Sequence, residues 1–278
     1  MALEAIDNLL LTSDNNANWE LFHENSKTSF VEPHPTFKLW PTDEVIVGHM
    51  NLLRRVKPFT DSPKIELPRQ VPASTRSFDE VLFQRSTARG FAPQPIRLEQ
   101  LAKVLIMSYG VNRSNEGTIF PRPFRVIPSG GALYPLEIFL HAGKVDGLAP
   151  GLYHYDPEDH NLDVLRDRDE SDRILPLFVQ QDLARNAAAI LFIAAVFGRT
   201  VFKYGDRGYR FVLLEAGHLA QNANLTAREM GLTTTNIGGY ADRGVDRYLG
   251  LDGLNESAIY LMLLGHPGKE EHTGHHGH

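Results

Sequence analysis

Two arginines that are four residues apart form the first group in this sequence whose types and spacing suggest chemistry. Arg85 and Arg89 enclose the hydroxyl side chains of Ser86 and Thr87. A guanidinium can donate two parallel hydrogen bonds to the oxygens of a phosphate, and neighbouring hydroxyls can add further bonds. We therefore interpret the segment as a phosphate-binding site. The alternative is a solvated helix end that carries two surface charges.

A glycine turn, Pro128-Ser129-Gly130-Gly131, is the second candidate, and Leu133 follows it closely. Glycines leave room for a planar group to lie against the backbone, where amide N–H groups can meet its heteroatoms. Gly238-Gly239 could form a second such surface. Glycine pairs also form tight turns that bind nothing, so the interpretation depends on the other segments. The glycine patterns of Rossmann and P-loop nucleotide sites are absent.

A lysine next to a tyrosine, Lys203-Tyr204, begins a basic segment that runs to Arg210. An ammonium group beside a phenol favours the phenolate, and partial burial lowers the pKa of a lysine. Either side chain could therefore act as a base near neutral pH. The alternative is an exposed basic stretch with the tyrosine packed beneath it. We keep Lys203 and Tyr204 as candidate catalytic residues.

In this order and at these separations, the three segments resemble those of the SagB-type dehydrogenases, a family of the FMN-dependent nitroreductase superfamily. The resemblance covers roughly residues 80 to 267 and rests on residues 85–91, 128–135 and 203–210. It implies that the phosphate and ring edge of FMN are held by Arg85, Ser86, Thr87 and Arg89. It also implies that the isoalloxazine ring lies against Pro128, Ser129, Gly130, Gly131, Leu133, Gly238 and Gly239.

The resemblance implies an enzyme that oxidises a thiazoline or oxazoline ring to the azole, in a ribosomally made peptide or a carrier-bound intermediate. Lys203 or Tyr204 would accept a ring proton while a hydride passes to FMN, and oxygen would reoxidise the flavin. The family also implies a homodimer with an FMN at each of two interface sites. A cyclodehydratase is the partner that such an enzyme would accompany.

Two other functions stay open. A nitroreductase or flavin reductase would pass hydride from NAD(P)H and needs no such base, so the Lys203-Tyr204 pair argues against it. A non-catalytic subunit would bind a leader peptide or a cyclodehydratase through residues 1–75. The intact arginine and hydroxyl segment argues against that function.

Composition excludes several classes of protein. The chain has 278 residues, 42% of them hydrophobic, and a net charge of −6, whereas nucleic-acid binding needs a basic surface. Without cysteine there is no thiolate chemistry or cysteine-ligated metal, and we predict no metal site. The longest apolar run is about half of the roughly 20 residues that a membrane-spanning helix needs. The acidic start lacks a signal-peptide pattern, so we expect a cytoplasmic protein.

We predict an α+β fold similar to that of the nitroreductases, with a central mixed or antiparallel sheet flanked by helices. Residues 1–75 are predicted to form an extension that contacts a partner or peptide or wraps around a dimer, because prolines interrupt regular elements there. Residues 76–268 would form the FMN-binding domain. The histidine-rich residues 269–278 would form a disordered tail.

Hydrophobic periodicity and capping residues predict the elements. Ser77 would cap a helix that ends at Arg85, and a second helix would run from residue 98 to near Gly110. Strands are predicted at residues 136–140, 187–197, 233–237 and 258–264, with a hairpin formed by 151–157 and 161–165. Short helices are predicted in the extension at residues 2–11, 18–24 and 42–53.

A long helix is predicted over residues 211–230, closed by Gly231. Its small residues would let the same helix of a second subunit approach closely. These residues are Ala216, Gly217, Ala220, Ala223 and Ala227. Polar side chains would form hydrogen bonds within that dimer interface, namely those of Glu215, His218, Gln221 and Asn222.

Overall fold

An antiparallel sheet forms the centre of the computed structural model, which describes residues 18–27, 44–53, 57–117 and 122–268. The strands are β1 (Lys64–Glu66), β2 (Phe91–Ala92), β3 (Ile96–Arg97), β4 (Val111–Ser114), β5 (Pro123–Arg125), β6 (Leu136–Ala142), β7 (Val145–Asp146), β8 (Gly151–Asp156), β9 (Asn161–Arg166), β10 (Ala189–Val196), β11 (Thr233–Ile237) and β12 (Glu256–Pro267). The large sheet has the order β1-β9-β8-β6-β10-β12-β11, and β2 also pairs with β12. Two short pairs, β3–β7 and β4–β5, lie outside it.

Helices cover both faces of this sheet. They are α1 (Asn18–Asn25), α2 (Glu44–Leu53), α3 (Phe78–Gln84), α4 (Leu98–Tyr109), α5 (Ser171–Ile174), α6 (Gln181–Asn186), α7 (Gly198–Tyr204), α8 (Arg207–Glu229) and α9 (Asp242–Leu249). Leu105 of α4 and Leu219 of α8 share one core cluster with Leu191 of β10. Val245 of α9 shares a second cluster with Phe192 of β10. Among the helices described, none is both long and apolar enough to cross a membrane.

Strand β10 lies between the two core clusters. Every residue but its last is buried, and its neighbours in the sheet are β6 and β12. Because adjacent side chains of a strand point to opposite faces, Leu191 and Phe192 enter different clusters. The continuous apolar run that predicted a central strand is explained by this burial on both faces.

The predicted α+β fold with a central antiparallel sheet is confirmed, and the elements lie close to their predicted bounds. Ser77 Oγ accepts a hydrogen bond from the Glu80 N–H at 3.2 Å, as expected of a helix cap. Helix α8 begins at Arg207 rather than at residue 211, and Gly231 follows it with a φ of 74°. The predicted helix at residues 2–11 and the predicted tail at residues 269–278 lie outside the described residues.

Part of the predicted N-terminal extension belongs to the central sheet. Strand β1 pairs with β9, so that Lys64 lies opposite Asp163, and Leu67 is buried in the main core cluster. Helix α2 contributes Val47 and Met50, which are also buried. These contacts attach the described part of the extension to the rest of the fold. A domain boundary after residue 75 stays a prediction.

The small residues of α8 do not face away from the chain as the sequence suggested. Ala216, Ala220, Ala223 and Ala227 are buried in the chain's own core, where α8 packs against α4. Gly217 lies outside this buried face, is exposed and has open space around it. A stripe of small residues facing a second subunit is therefore wrong. Alanines at this spacing allow a close helix pair, but they do not show whether the partner helix comes from the same chain.

We expect Ala223→Leu to lower the free energy of unfolding by about 1–3 kcal/mol, because the longer side chain enters a core that is already filled. Urea unfolding followed by circular dichroism measures this effect. The control is Gly217→Ala on the same helix, which fills open space and gains helix propensity. Equal destabilisation by the two substitutions would contradict the packing of α8.

Candidate active site

The predicted glycine turn is a strained loop between β5 and β6. Gly131 has a φ of 66°, and the two non-glycine residues Ala132 and Tyr134 have φ values of 52° and 47°. Left-handed conformations of non-glycine residues cost about 1–3 kcal/mol each and persist only where the surroundings fix them. The rest of the fold must therefore hold this turn.

Three hydrogen bonds to Tyr134 hold the end of the turn. Its N–H donates to Ser129 Oγ at 2.9 Å, and its carbonyl oxygen accepts from Arg199 Nη1 at 3.2 Å. The Tyr134 hydroxyl accepts from the Arg125 N–H at 3.0 Å. The turn itself, helix α7 and strand β5 thus fix one residue in an unfavourable backbone conformation.

Glu215 of α8 is buried next to the turn. Its Oε1 accepts a hydrogen bond from Tyr109 Oη at 3.2 Å. Tyr109 Oη in turn accepts from the Leu136 N–H at 3.1 Å. The predicted role of Glu215 in a dimer interface is wrong, because α8 turns this residue toward the chain's own core.

The environment of Glu215 favours its neutral form. Burial raises the pKa of the carboxyl group to about 7. Hydrogen bonds from Ser129 and Tyr109 oppose this shift, and so do the charges of Arg125 and Arg199. Arg125 lies over the Tyr109 ring at 4.1 Å, and its Nη1 is buried with no hydrogen-bond partner among the described residues. A titratable carboxyl group therefore lies close to an incompletely hydrogen-bonded cation.

The two predicted proton acceptors, Lys203 and Tyr204, lie against the glycine turn. Lys203 and Tyr204 occupy the last turn of α7 and are half-buried. An ideal Cβ atom on Gly131 would lie 2.8 Å from Tyr204 Oη and 3.3 Å from Lys203 Nζ. The Tyr204 ring meets the Phe211 ring edge-on, with centroids 4.9 Å apart. The fold thus brings together two of the segments singled out in the sequence.

The other residues predicted to face a ring are arranged around Gly131. Leu133 is buried, and its Cδ1 lies 3.6 Å from the same ideal Cβ position. Pro128 is exposed at the start of the turn, and Ser129 is half-buried. An ideal Cβ atom on Gly130 would lie 3.1 Å from the Phe211 ring. Glycine is therefore required at this turn by the close approach of other side chains.

The predicted phosphate-binding segment follows α3 and lies along β11. The Ala88 N–H donates to the Thr234 carbonyl at 2.9 Å, and Thr235 Oγ1 donates to the Ala88 carbonyl at 2.7 Å. Strand β11 leads directly into Gly238 and Gly239, which are exposed. The fold therefore attaches the arginine segment to the strand that carries the second glycine pair.

The side chains of this segment fit a phosphate. Arg85 is half-buried, and Ser86, Thr87 and Arg89 are exposed. Neither arginine has an acidic partner within the described part of the chain. Thr87 and Arg89 border an open cleft of about 1250 Å³. Two guanidinium groups next to two hydroxyls form a suitable donor set for a dianion.

The arginine segment at residues 85–89 and the glycine turn at residues 128–133 lie toward opposite ends of α8. Arg228, near the end of the helix, donates to Gln84 Oε1 at 3.3 Å, and Gln84 directly precedes Arg85. The glycine turn contacts Phe211, near the beginning of the helix. A rise of 1.5 Å per residue puts Phe211 and Arg228 roughly 25 Å apart. Within one copy of the chain, the predicted phosphate-binding segment is therefore far from the predicted proton acceptors, Lys203 and Tyr204.

A buried chain of charged side chains supports the turn and was not found from the sequence. Arg199 donates to Glu137, whose Oε2 lies 2.8 Å from His154 Nε2. His154 Nδ1 lies 3.0 Å from Asp163 Oδ2. Burial opposes ionisation of Glu137, but Arg199 and His154 hold its pKa at about 2. The available signal was a glutamate and a histidine within apolar strands, where a charge needs a partner.

Helix α1 packs on the beginning of α8, a few residues after Lys203 and Tyr204. Arg210 Nε donates to Ser26 Oγ at 2.7 Å, and the Arg210 side chain also contacts the Phe22 ring at 5.6 Å. Phe22 meets the Tyr209 ring edge-on, with centroids 5.2 Å apart. The N-terminal helix therefore covers the beginning of α8, close to Lys203 and Tyr204.

Comparison with known proteins is consistent with this fold. The Nitroreductase family model matches residues 82–266. The chain is 33% identical over 205 residues to MJ1384 of Methanocaldococcus jannaschii, a protein named as a nitroreductase. That alignment covers 74% of this chain and 97% of MJ1384. It is 26% identical over 228 residues to the trifolitoxin-processing protein TfxB of Rhizobium leguminosarum bv. trifolii, covering 77% of this chain.

A solved structure gives a further likeness. The Escherichia coli microcin synthetase complex McbBCD, with truncated pro-MccB17 bound, matches with a TM-score of 0.57 and 25% identity. The match covers 76% of this chain and 80% of the matched chain. The chain spans only 58% of the length of TfxB.

The antiparallel sheet flanked by helices and the family match together define an α+β oxidoreductase. The chain belongs to the Nitroreductase family.

We expect Gly131→Ala to lower the free energy of unfolding by about 1 kcal/mol or more, because alanine disfavours the left-handed backbone and its methyl group meets Tyr204 Oη. The matched control is Gly198→Ala in α7, where the added methyl group meets open space. Urea unfolding measures both variants. If Gly131→Ala were no less stable than Gly198→Ala, the turn would not be held against Tyr204.

Proposed function

We propose that this chain is an FMN-dependent dehydrogenase that oxidises a thiazoline or oxazoline ring to the azole. The observation that supports this most is the contact of Lys203 and Tyr204 with Gly131. Two side chains able to accept a proton then lie beside the turn that we assign to the flavin ring. An NAD(P)H-dependent nitroreductase is the alternative that the likeness to MJ1384 favours. It relays a hydride and needs no such base.

The residues that would hold FMN are those of the two groups described above. Arg85, Ser86, Thr87 and Arg89 would bind its phosphate, and Gly238 and Gly239 would lie against its ring. Pro128, Ser129, Gly130, Gly131 and Leu133 would approach the ring from the other end of α8. When bound, FMN supplies the hydride acceptor, and oxygen restores its oxidised form.

The separation of these two groups supports a homodimer. In a two-fold dimer each chain presents the same surface to the other. If the α8 helices of two subunits packed antiparallel, the arginine segment of one chain would lie near Lys203 and Tyr204 of the other. The outward face of α8 carries Leu213 and Leu214, which are 42% and 60% exposed, and Phe83 of α3 is 89% exposed. Exposed apolar side chains of this size suit a surface that a second subunit covers.

The base would take the proton that aromatisation releases. Ring oxidation removes a proton from one carbon and a hydride from the adjacent one, so the two acceptors must lie on either side of that bond. Lys203 Nζ lies 5.4 Å from the Tyr204 ring centroid, near enough for the ammonium group to stabilise a phenolate. Either Tyr204 as phenolate or Lys203 as free amine would then accept the proton.

The relatives suggest a peptide substrate and partner proteins. TfxB is named for trifolitoxin processing, and the McbBCD complex contains truncated pro-MccB17. By analogy we propose a peptide or carrier-bound azoline as substrate, a cyclodehydratase as partner, and action in the cytoplasm. A non-catalytic role in such a complex is the remaining alternative. Arg85 and Arg89 argue against it, because they have no acidic partner among the described residues and together could bind a phosphate.

Subunit complementation tests the homodimer and the flavin together. The wild type should be purified with bound FMN and yellow, and Arg85→Ala/Arg89→Ala should lose the colour, since it lacks the charge-assisted bonds to the phosphate. Lys203→Ala/Tyr204→Phe should keep FMN but be inactive. Unfolding and refolding the two variants together should restore about a quarter of wild-type azoline oxidation, because one site of each mixed dimer is intact.

The outcome of this mixing experiment distinguishes the two arrangements. Sites built within single chains would give no recovery, because every chain carries one defect. A colourless wild type that takes up no added FMN would contradict the flavin proposal itself. Each variant refolded alone is the control for incomplete inactivation.

A separate experiment tests whether Lys203 and Tyr204 act as the proton acceptors. Lys203→Ala/Tyr204→Phe should reduce azoline turnover by about 10²–10⁴, the usual contribution of a positioned general base. Reduction of the bound flavin by dithionite should be unchanged, because that reaction uses no protein base. The lysine truncation Lys144→Ala, in the turn between β6 and β7, is the matched control. Retained azoline oxidation in the flavin-loaded double variant would refute the assignment, as would rapid NAD(P)H oxidation without azoline turnover.

A further inference from the structure

We propose that a small pocket beside β1 binds a primary ammonium group that is carried on an alkyl chain. The pocket has a volume of about 290 Å³ and lies between the segment that precedes β1 and the hairpin formed by β8 and β9. This volume is near the lower limit of about 300 Å³ for small-molecule pockets. The pocket shares no lining residue with the cleft beside Thr87 and Arg89, so the inference does not depend on the proposed oxidation.

A buried carboxylate oxygen in this pocket indicates a ligand that donates hydrogen bonds. Asp163 lines the pocket and is only 3% exposed. Its Oδ2 lies 3.0 Å from His154 Nδ1, and this contact fixes the carboxylate. Its Oδ1 is buried and has no hydrogen-bond partner within the described part of the chain. Because a buried polar atom without a partner costs free energy, a donor from a ligand would stabilise this site.

Lys64 lies beside this oxygen but does not form a hydrogen bond with it. Strand pairing places Lys64 opposite Asp163. Lys64 Nζ is 3.8 Å from Asp163 Oδ1 and 3.9 Å from Asp159 Oδ2, and both distances exceed those of a hydrogen bond. The lysine side chain is 45% exposed, so a ligand can displace it without opening the core. Lys64 therefore marks a position in the pocket that is favourable for an ammonium group.

The charges of the lining also favour a cation. Four carboxylates line the pocket against two ammonium groups, and these belong to Asp156, Glu158, Asp159, Asp163, Lys57 and Lys64. Lys57 Nζ pairs with Glu256, which lies outside the lining. The negative charges of the lining therefore exceed the positive ones, and a pocket lined mainly by one sign of charge concentrates ions of the opposite sign.

An aromatic wall distinguishes an organic cation from a metal ion. Phe59 lines the pocket, and its ring centroid lies 4.7 Å from that of His154 and 6.3 Å from that of Phe139. An aromatic ring attracts an ammonium group and gives its methylene groups an apolar surface. Among the residues that the structure describes, no group of three or more acidic or histidine side chains could hold a metal ion. The lining thus suits an alkylammonium ion.

Calorimetric titration of the full chain tests the proposal and distinguishes two sources of the ligand. The probes are cadaverine, which is a free diamine, and a short peptide with blocked ends that contains one lysine. Pentanol is the uncharged control. The salt concentration is that of the cell, where attraction between distant exposed charges is largely screened. Both ammonium probes should bind with saturation, and pentanol should not.

Each result of this titration has a defined meaning. Tighter binding of the peptide would identify a peptide lysine as the ligand, and tighter binding of cadaverine would identify a free amine. If neither ammonium probe shows saturable binding, or if pentanol binds as well as cadaverine, the proposal is overturned.

Variants of the lining residues locate the binding site. Asp163→Asn should raise the dissociation constant of cadaverine by roughly 10–100-fold, because it removes a charge-assisted hydrogen bond. Asp61→Asn is the matched control, since Asp61 is an exposed aspartate that does not line the pocket, and it should bind as the wild type does. Equal affinity of Asp163→Asn and wild type would overturn the proposal.

Two exposed residues keep the test decisive if Asp163→Asn folds poorly after losing its contact with His154. Lys64→Gln removes the competing ammonium group and should lower the dissociation constant of cadaverine by about two- to fivefold. Asp159→Asn removes a carboxylate of the rim and should raise it by about the same factor. Circular dichroism checks that both variants are folded. A change in the same direction in both variants, or no change in either, would refute binding in this pocket.

Discussion

The active-site turn depends on buried hydrogen bonds that fix an unfavourable backbone. Ala132 and Tyr134 have positive φ values, and neither has the freedom of glycine. Arg199, Ser129 and the backbone of Arg125 hold Tyr134 from three sides. Such a conformation costs free energy and is stable only because the core encloses its supports. This turn lies close to Lys203 and Tyr204, the two side chains that we interpret as the base.

Helix α8 connects the chemistry to the core and also separates its parts. Its inner face is filled by small residues that let α4 pack closely. Its first turns support the glycine turn through Phe211 and Glu215, whereas its last turn contacts the arginine segment through Arg228. A rigid helix of this length keeps the two groups apart within one chain. The homodimer that we propose would bring these two groups together across its interface.

The features that support azoline oxidation differ from those that define the family. The sheet, the flanking helices and the phosphate-binding segment suit any member that transfers a hydride. Lys203 and Tyr204, close to Gly131 at the end of α7, are the residues that we propose as proton acceptors. Arg199 lies on the same helix and links Tyr134 to the buried Glu137–His154–Asp163 group. Lys203 and Tyr204 thus lie on a helix that is held in place by buried charged residues.

The sequence by itself determined the α+β class and most element bounds, because these depend on local features, and it pointed to the three segments of the site that we propose. Apolar periodicity, the Ser77 cap and glycines at tight turns act over a few residues. Only the tertiary structure decided that the alanines of α8 face the chain's own core and that Glu215 supports the turn. A helix with both small and polar residues offers two plausible faces, and its packing partners choose between them. The physical reason is that burial is a property of the assembled layers, not of the residues in one helix.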